Sequence, residues 1–173
     1  MRIGVDVDEV LCTTNRYFVD YFNKKHNTSY RREDIYDFDY SSFVNHNYDF
    51  VMGELIDFIE DNLDSFDVTE NSREALEKLK GDGHELVILT SRELKVRDKT
   101  MKWLNSNFGK GFFDDFLMCK TERGKKCKSE ISLENGIDLL IEDAPHYASK
   151  TAKAGVGVLL FDCPWNRSVD DSE

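Results

Sequence analysis

Asp6 and Asp8 stand one residue apart at the end of the apolar run Ile3-Gly4-Val5, and apolar character resumes at Val10-Leu11. Two carboxylates that close repel each other, and a divalent cation is the simple remedy. An isolated Asp-x-Asp is also a common start to a turn. Two further stretches of the same form shift the balance. Leu86-Val87-Ile88-Leu89 runs directly into Thr90-Ser91-Arg92, and the run from Ile137 to Ile141 ends in Glu142-Asp143, preceded by a basic loop that carries Lys125, Lys126 and Lys128. Carboxylates, a hydroxyl and an ammonium group make a set suited to phosphoryl transfer. Carboxylates from two strands hold Mg2+ against a phosphate that they would otherwise repel. A free aspartate attacks phosphorus and divides one difficult hydrolysis into two easier steps. A second carboxyl protonates the leaving alcohol and then activates water, while a hydroxyl and a lysine bind the equatorial oxygens.

These residues serve one site only if the chain brings them together. Five apolar runs have the length of buried strands: Ile3 to Val5, Leu86 to Leu89, Phe116 to Cys119, Ile137 to Ile141 and Val156 to Phe161. Helical patterns separate them, so the expected fold is α/β, a parallel five-stranded sheet with helices on both faces. In such a sheet the carboxyl ends of all strands lie along one edge, where ligands bind. Between the first two strands the spacing of Tyr17, Phe18, Tyr21 and Phe22, and then of Phe50, Val51, Leu55, Ile56, Phe58 and Ile59, predicts helices without an intervening strand. Residues 14–70 therefore read as a small helical insertion, and 1–13 with 71–173 as the core. Asn71 with Glu74 predicts a helix start, and Glu93 to Phe108 a helix with Leu94, Met101, Leu104 and Phe108 inward. Pro145 suits the first turn of a helix that Gly155 closes.

Composition narrows the partners. The 173 residues carry 23 Lys plus Arg against 34 Asp plus Glu, a net charge of -11. A general nucleic-acid binder needs a basic face, which this balance argues against, while a small anion can still find one local positive site. No apolar run approaches the roughly 18 residues that span a bilayer. Cys12, Cys119, Cys127 and Cys163 show no zinc spacing and three of them sit in or beside apolar runs, so buried reduced thiols and a cytoplasmic location are expected.

Ile3-Gly4-Val5-Asp6-Val7-Asp8-Glu9-Val10-Leu11, Leu86 to Arg92 and Leu139-Leu140-Ile141-Glu142-Asp143 resemble motifs I, II and IV of the haloacid dehalogenase (HAD) superfamily. More narrowly, Gly4 to Val10, Asp138 to Pro145 and Leu160 to Arg167 are similar to the 5'(3')-deoxyribonucleotidase-like, cytosolic type C branch. The resemblance covers nearly the whole chain. It implies a HAD-like Rossmannoid core with a small helical cap, and a Mg2+-dependent phosphatase working through an aspartyl-phosphate, with a nucleoside monophosphate as substrate. Asp6 is then the nucleophile, Asp8 the general acid and base, and Thr90 a phosphoryl ligand. Mg2+ falls to Asp6, the main-chain carbonyl of Asp8, and Asp143, with Glu142 in or near its shell. Lys128 is favoured as the motif III lysine, with Lys126 as the alternative. Ser91 and Arg92 join the substrate-binding set, as do Tyr36, Phe38 and Tyr40, whose alternation with Asp37 and Asp39 leaves one free to stack on a base. Trp165 and Asn166 either line the crevice or turn the chain.

Three rivals remain at this level. One is a HAD phosphatase for another ester, such as a sugar phosphate or a polynucleotide end. Another is a regulatory protein that binds phosphate or Mg2+ without turnover. The third, a receiver domain, carries its acidic pair before the Thr and Lys, whereas Glu142-Asp143 follows them here.

Overall fold

The computed structural model describes residues 1–35, 41, 44, 46–122 and 124–167. Tyr36, Phe38 and Tyr40 lie outside the described residues. Arg2–Val5 (β1) forms the middle of a five-stranded parallel sheet with Glu85–Thr90 (β2), Asp115–Met118 (β3), Leu139–Glu142 (β6) and Gly157–Leu160 (β7), in the order β3-β2-β1-β6-β7. Val5 pairs with Ile88 on one side and Ile141 on the other. Asp6, Thr90, Glu142 and Asp143 therefore leave the same edge as near neighbours. The chain steps outward from β1 on both sides, so a crevice opens at the reversal of strand order, beside β1. Gly4 fits this crowded middle because a Cβ there would meet Leu140 Cδ1 at 3.1 Å and Ile137 Cδ1 at 3.2 Å.

Among the described residues the helices are Thr14–His26 (α1), Tyr48–Asn62 (α2), Ser72–Gly81 (α3), Arg97–Phe108 (α4), Lys128–Glu134 (α5) and Pro145–Lys153 (α6). α1 and α2 lie between β1 and β2 in the chain. Their buried faces, with Phe18, Phe22, Val51, Phe58 and Ile59, join Ile3, Val5, Leu86, Ile88, Trp103 and Leu104 in one apolar cluster. The insertion thus shares its core with the sheet. The Trp103 indole fixes the seam by donating to the Phe66 carbonyl at 3.0 Å, and Lys95 and Lys102 pair with Asp57 and Asp64 at its rim.

Local details depart from the periodicity in three places. Leu94 is exposed, because Leu94–Val96 is a separate 3-10 turn, and Trp103 takes the inward place on α4. Asn71 precedes α3 in the left-handed region, φ 61°, without a side-chain cap. The basic loop after β3 contains a short antiparallel pair, Lys120–Thr121 (β4) with Gly124–Lys125 (β5).

Candidate active site

β1 ends and the chain turns back at once: Leu11 and Cys12 N–H both donate to the Val7 carbonyl at 2.9 Å. Glu9 sits in that turn at φ 60°, unusual for a residue with a side chain. The turn faces Asp6 and Asp8 into a cleft with about 830 Å³ of open space. Its floor also holds Glu142, Asp143 and Ser91, and its walls include Met52, Leu55, Ile56 and Ile59 from α2, with Tyr147 and Trp165.

Lys128, the first residue of α5, has no exposed surface; its Nζ lies 2.8 Å from Asp6 Oδ1 and 2.5 Å from Glu142 Oε2. Glu142 uses its other oxygen to accept from the Ala144 N–H at 3.0 Å. Lys126, by contrast, is a surface residue paired with Glu134. An ammonium buried without exposure persists because two carboxylates face it, and they hold its pKa above the ordinary lysine value despite the opposing effect of burial. Burial raises Asp6 to about 7, with Lys128 opposing and Glu142 and Asp8 adding to the rise. Burial likewise pushes Asp143 well up, helped by Glu142 and Asp6.

Asp8 has the opposite environment. Arg92 grips it with Nε on Oδ2 at 3.0 Å and Nη2 on Oδ1 at 2.8 Å, and the Thr14 hydroxyl donates to Oδ1 at 2.5 Å. Burial acts to raise its pKa, but the guanidinium and Thr14 together prevail, and the group falls below its usual value. Arg92 is itself fixed by Nη1 donating to the Thr100 hydroxyl at 3.0 Å. The residue expected to bind substrate therefore has its fork directed at Asp8. Thr90 is fully buried, its hydroxyl accepting from the Arg92 N–H at 3.2 Å, while Ser91 lines the cleft.

Sequence reasoning passed over Glu9, Thr14 and Tyr147. Glu9 is buried and accepts from the Asn15 N–H at 2.6 Å, and its Oε2 pairs with Arg32 Nη2 at 2.9 Å. The Tyr147 ring lies 4.9 Å from Lys128 Nζ. The available signal was position, Glu9 next to Asp8 and Tyr147 in the first helical turn after Asp143. Of the two alternatives for Trp165 and Asn166, both residues turn the chain after β7, and Trp165 lines the cleft as well.

The residues fit a divalent cation. Asp6, Glu142 and Asp143 bring carboxylate oxygens within 4.8 Å of one another. Asp6 Oδ1 is buried with an ion-pair partner but no hydrogen bond in line. Hard oxygen donors with surplus negative charge are what Mg2+ takes.

The model of the family described as 5' nucleotidase, deoxy (pyrimidine), cytosolic type C protein matches residues 1–173. Over 177 aligned residues the chain is 28% identical to the provisionally named nucleotidase YqfW of Bacillus subtilis (strain 168), covering 99% of this chain and 86% of that protein. CbbY from Rhodobacter sphaeroides, solved in complex with phosphate, matches with a TM-score of 0.63 at 14% identity, over 98% of this chain and 89% of that one. A HAD-superfamily hydrolase of subfamily IA from Geobacter sulfurreducens PCA matches at 0.57 and 15%, over 95% and 93%. At such identities the structural likeness establishes the fold, a HAD-like Rossmannoid sheet.

Proposed function

The chain belongs to the 5' nucleotidase, deoxy (pyrimidine), cytosolic type C protein family of HAD-type phosphatases, and from that premise we propose that it hydrolyses a nucleoside monophosphate through a phosphorylated Asp6, with Mg2+ as cofactor. The observation that carries the reading is the meeting of Asp6, Asp8, Glu142 and Asp143 on one cleft floor, with Lys128 buried beside Asp6. Asp6, Asp143 and the main-chain carbonyl of Asp8 would hold Mg2+, with Glu142 next to them. When bound, the ion supplies positive charge to the phosphoryl oxygens.

An Asp6 oxygen attacks phosphorus, the ester P–O bond breaks, and Asp8 delivers its proton to the leaving alkoxide. In the second half Asp8 takes a proton from water, the resulting hydroxide attacks phosphorus, and the bond to Asp6 breaks to release inorganic phosphate. Arg92 favours the ionised Asp8, the form that accepts a proton from water. As the acid of the first half Asp8 must carry a proton, and an incoming phosphate raises its proton affinity by charge repulsion. Lys128 keeps its charge and so offsets the carboxylates around the attacking oxygen. Ser91 meets the phosphoryl group from the cleft floor, and Thr90 holds the start of the Thr90-Ser91-Arg92 turn. The insertion, residues 14–70, acts as a cap whose α2 side chains contact the esterified group. The word cytosolic in the family description supports a cytoplasmic enzyme.

The test is phosphate release from a panel of nucleoside monophosphates and sugar phosphates, with Mg2+ and with EDTA. Activity on nucleotides that EDTA abolishes is expected. The near-isosteric Asp6→Asn variant should fold normally and release no phosphate; retained turnover in it would overturn the mechanism, and a preference for sugar phosphates would overturn the substrate.

A further inference from the structure

The 3-10 turn Pro164–Asn166 follows β7, and two of its side chains address the same residue. The Trp165 indole N–H donates to Asp143 Oδ2 at 3.1 Å, and Asn166 Nδ2 donates to the Asp143 main-chain oxygen at 2.8 Å. Asn166 is anchored in turn, donating to the Phe161 carbonyl at 2.7 Å and accepting from the Cys163 N–H at 3.0 Å. The three residues Asp143, Trp165 and Asn166 are all buried. The Arg32 guanidinium lies 5.8 Å from the Trp165 ring centroid and pairs with Glu9, the neighbour of Asp8. Arg32 belongs to the insertion, so one line of contacts runs from the insertion to Asp143.

A hydrogen bond to one carboxylate oxygen selects a rotation of the whole group and so decides where the second oxygen points. Partners of this kind orient a ligating group and so tune its hold on a cation. A buried indole is stiff, and a planar guanidinium against it adds a contact that an ammonium does not reproduce. We propose that Trp165 is a positioning residue that aims the Asp143 carboxylate at the cation, and that Arg32 sets Trp165 from the insertion. The proposal rests on the reading that Asp143 holds Mg2+.

Trp165→Phe removes the N–H and keeps an aromatic ring for Arg32. Titration calorimetry with Mg2+ alone should give binding weaker by roughly 10- to 100-fold than wild type. The Mg2+ concentration for half-maximal phosphate release should rise in parallel. The rise in unfolding temperature on adding Mg2+ should shrink as well, since that rise follows cation affinity. Arg32→Lys keeps a charge beside Glu9 without the planar contact and should weaken Mg2+ binding in the same direction by a smaller factor. It also serves as the deciding variant if Trp165→Phe loses its far-UV circular dichroism. Wild-type Mg2+ affinity in the folded variants would overturn the positioning role alone. Wild type that binds no Mg2+ would overturn that role together with the metal-dependent mechanism.

Discussion

Lys128→Met tests the electrostatics of the site directly. The methionine keeps most of the volume of a side chain without exposed surface, but removes the charge facing Asp6 at 2.8 Å and Glu142 at 2.5 Å. Asp143 lies in the same cluster, so two of its three buried carboxylates lose their ion-pair partner. Removing one partner of a buried pair costs about 3–5 kcal/mol, because the other charge stays behind. A domain of this size has about 5–15 kcal/mol in all, so the variant should fold but be clearly weakened. Urea unfolding in EDTA at neutral pH should read that loss. The pH dependence comes from Asp6, which burial already raises to about 7 in the presence of Lys128. A carboxyl whose folded pKa lies above its unfolded value binds more protons when folded. Its contribution is complete below the unfolded pKa and is lost as pH rises through the folded one. Without Lys128 the folded value moves higher, so the deficit relative to wild type should be smallest near pH 5 and grow toward pH 8. Mg2+ should restore more stability to the variant than to wild type, one cation standing in for another. A loss below about 1 kcal/mol, or a deficit independent of pH, would refute the assignment of Lys128 as the charge that holds this cluster.

Arg92→Lys removes the fork on Asp8 while keeping a charge, and charge-assisted hydrogen bonds are worth about 1.5–3 kcal/mol. We expect kcat/KM to fall by roughly 10- to 100-fold, with KM little moved; unchanged kinetics would show that the fork on Asp8 does not serve the reaction. Leu55→Ala, in the α2 wall of the cleft, should raise KM for a nucleoside monophosphate several-fold and leave inhibition by inorganic phosphate unaltered. Equal effects on both would mean that α2 does not contact the esterified group. Gly4→Ala puts a methyl 3.1 Å from Leu140 Cδ1 and should destabilise the sheet by about 1–3 kcal/mol, measured by urea unfolding.

The strands and the residues at their ends were legible in the sequence because both are local properties. An apolar run of three to six residues reads as a buried strand wherever it stands, and Asp6, Thr90 and the pair Glu142-Asp143 follow such runs directly. The helical stripe of α1 was legible for the same reason, whereas Leu94 was misread because an apolar residue in a 3-10 turn looks like the start of the helix beyond it. Distant pairings were not legible. Arg92 reaches Asp8 across 84 positions, and nothing near Arg92 distinguishes that partner from a bound phosphate. Lys126 and Lys128 sit in one basic stretch, and only the start of α5 turns one toward Asp6 and the other toward Glu134. Trp165 finds Asp143 because β6 and β7 are neighbours, with Glu142 opposite Leu160. The sequence by itself determined an α/β chain with carboxylates at strand ends, and with them a phosphate chemistry, because periodicity and residue type act over a few residues. Tertiary structure alone decided which cation faces which carboxylate, since strand order, register and helix rotation set those distances and none of them is written in any one segment.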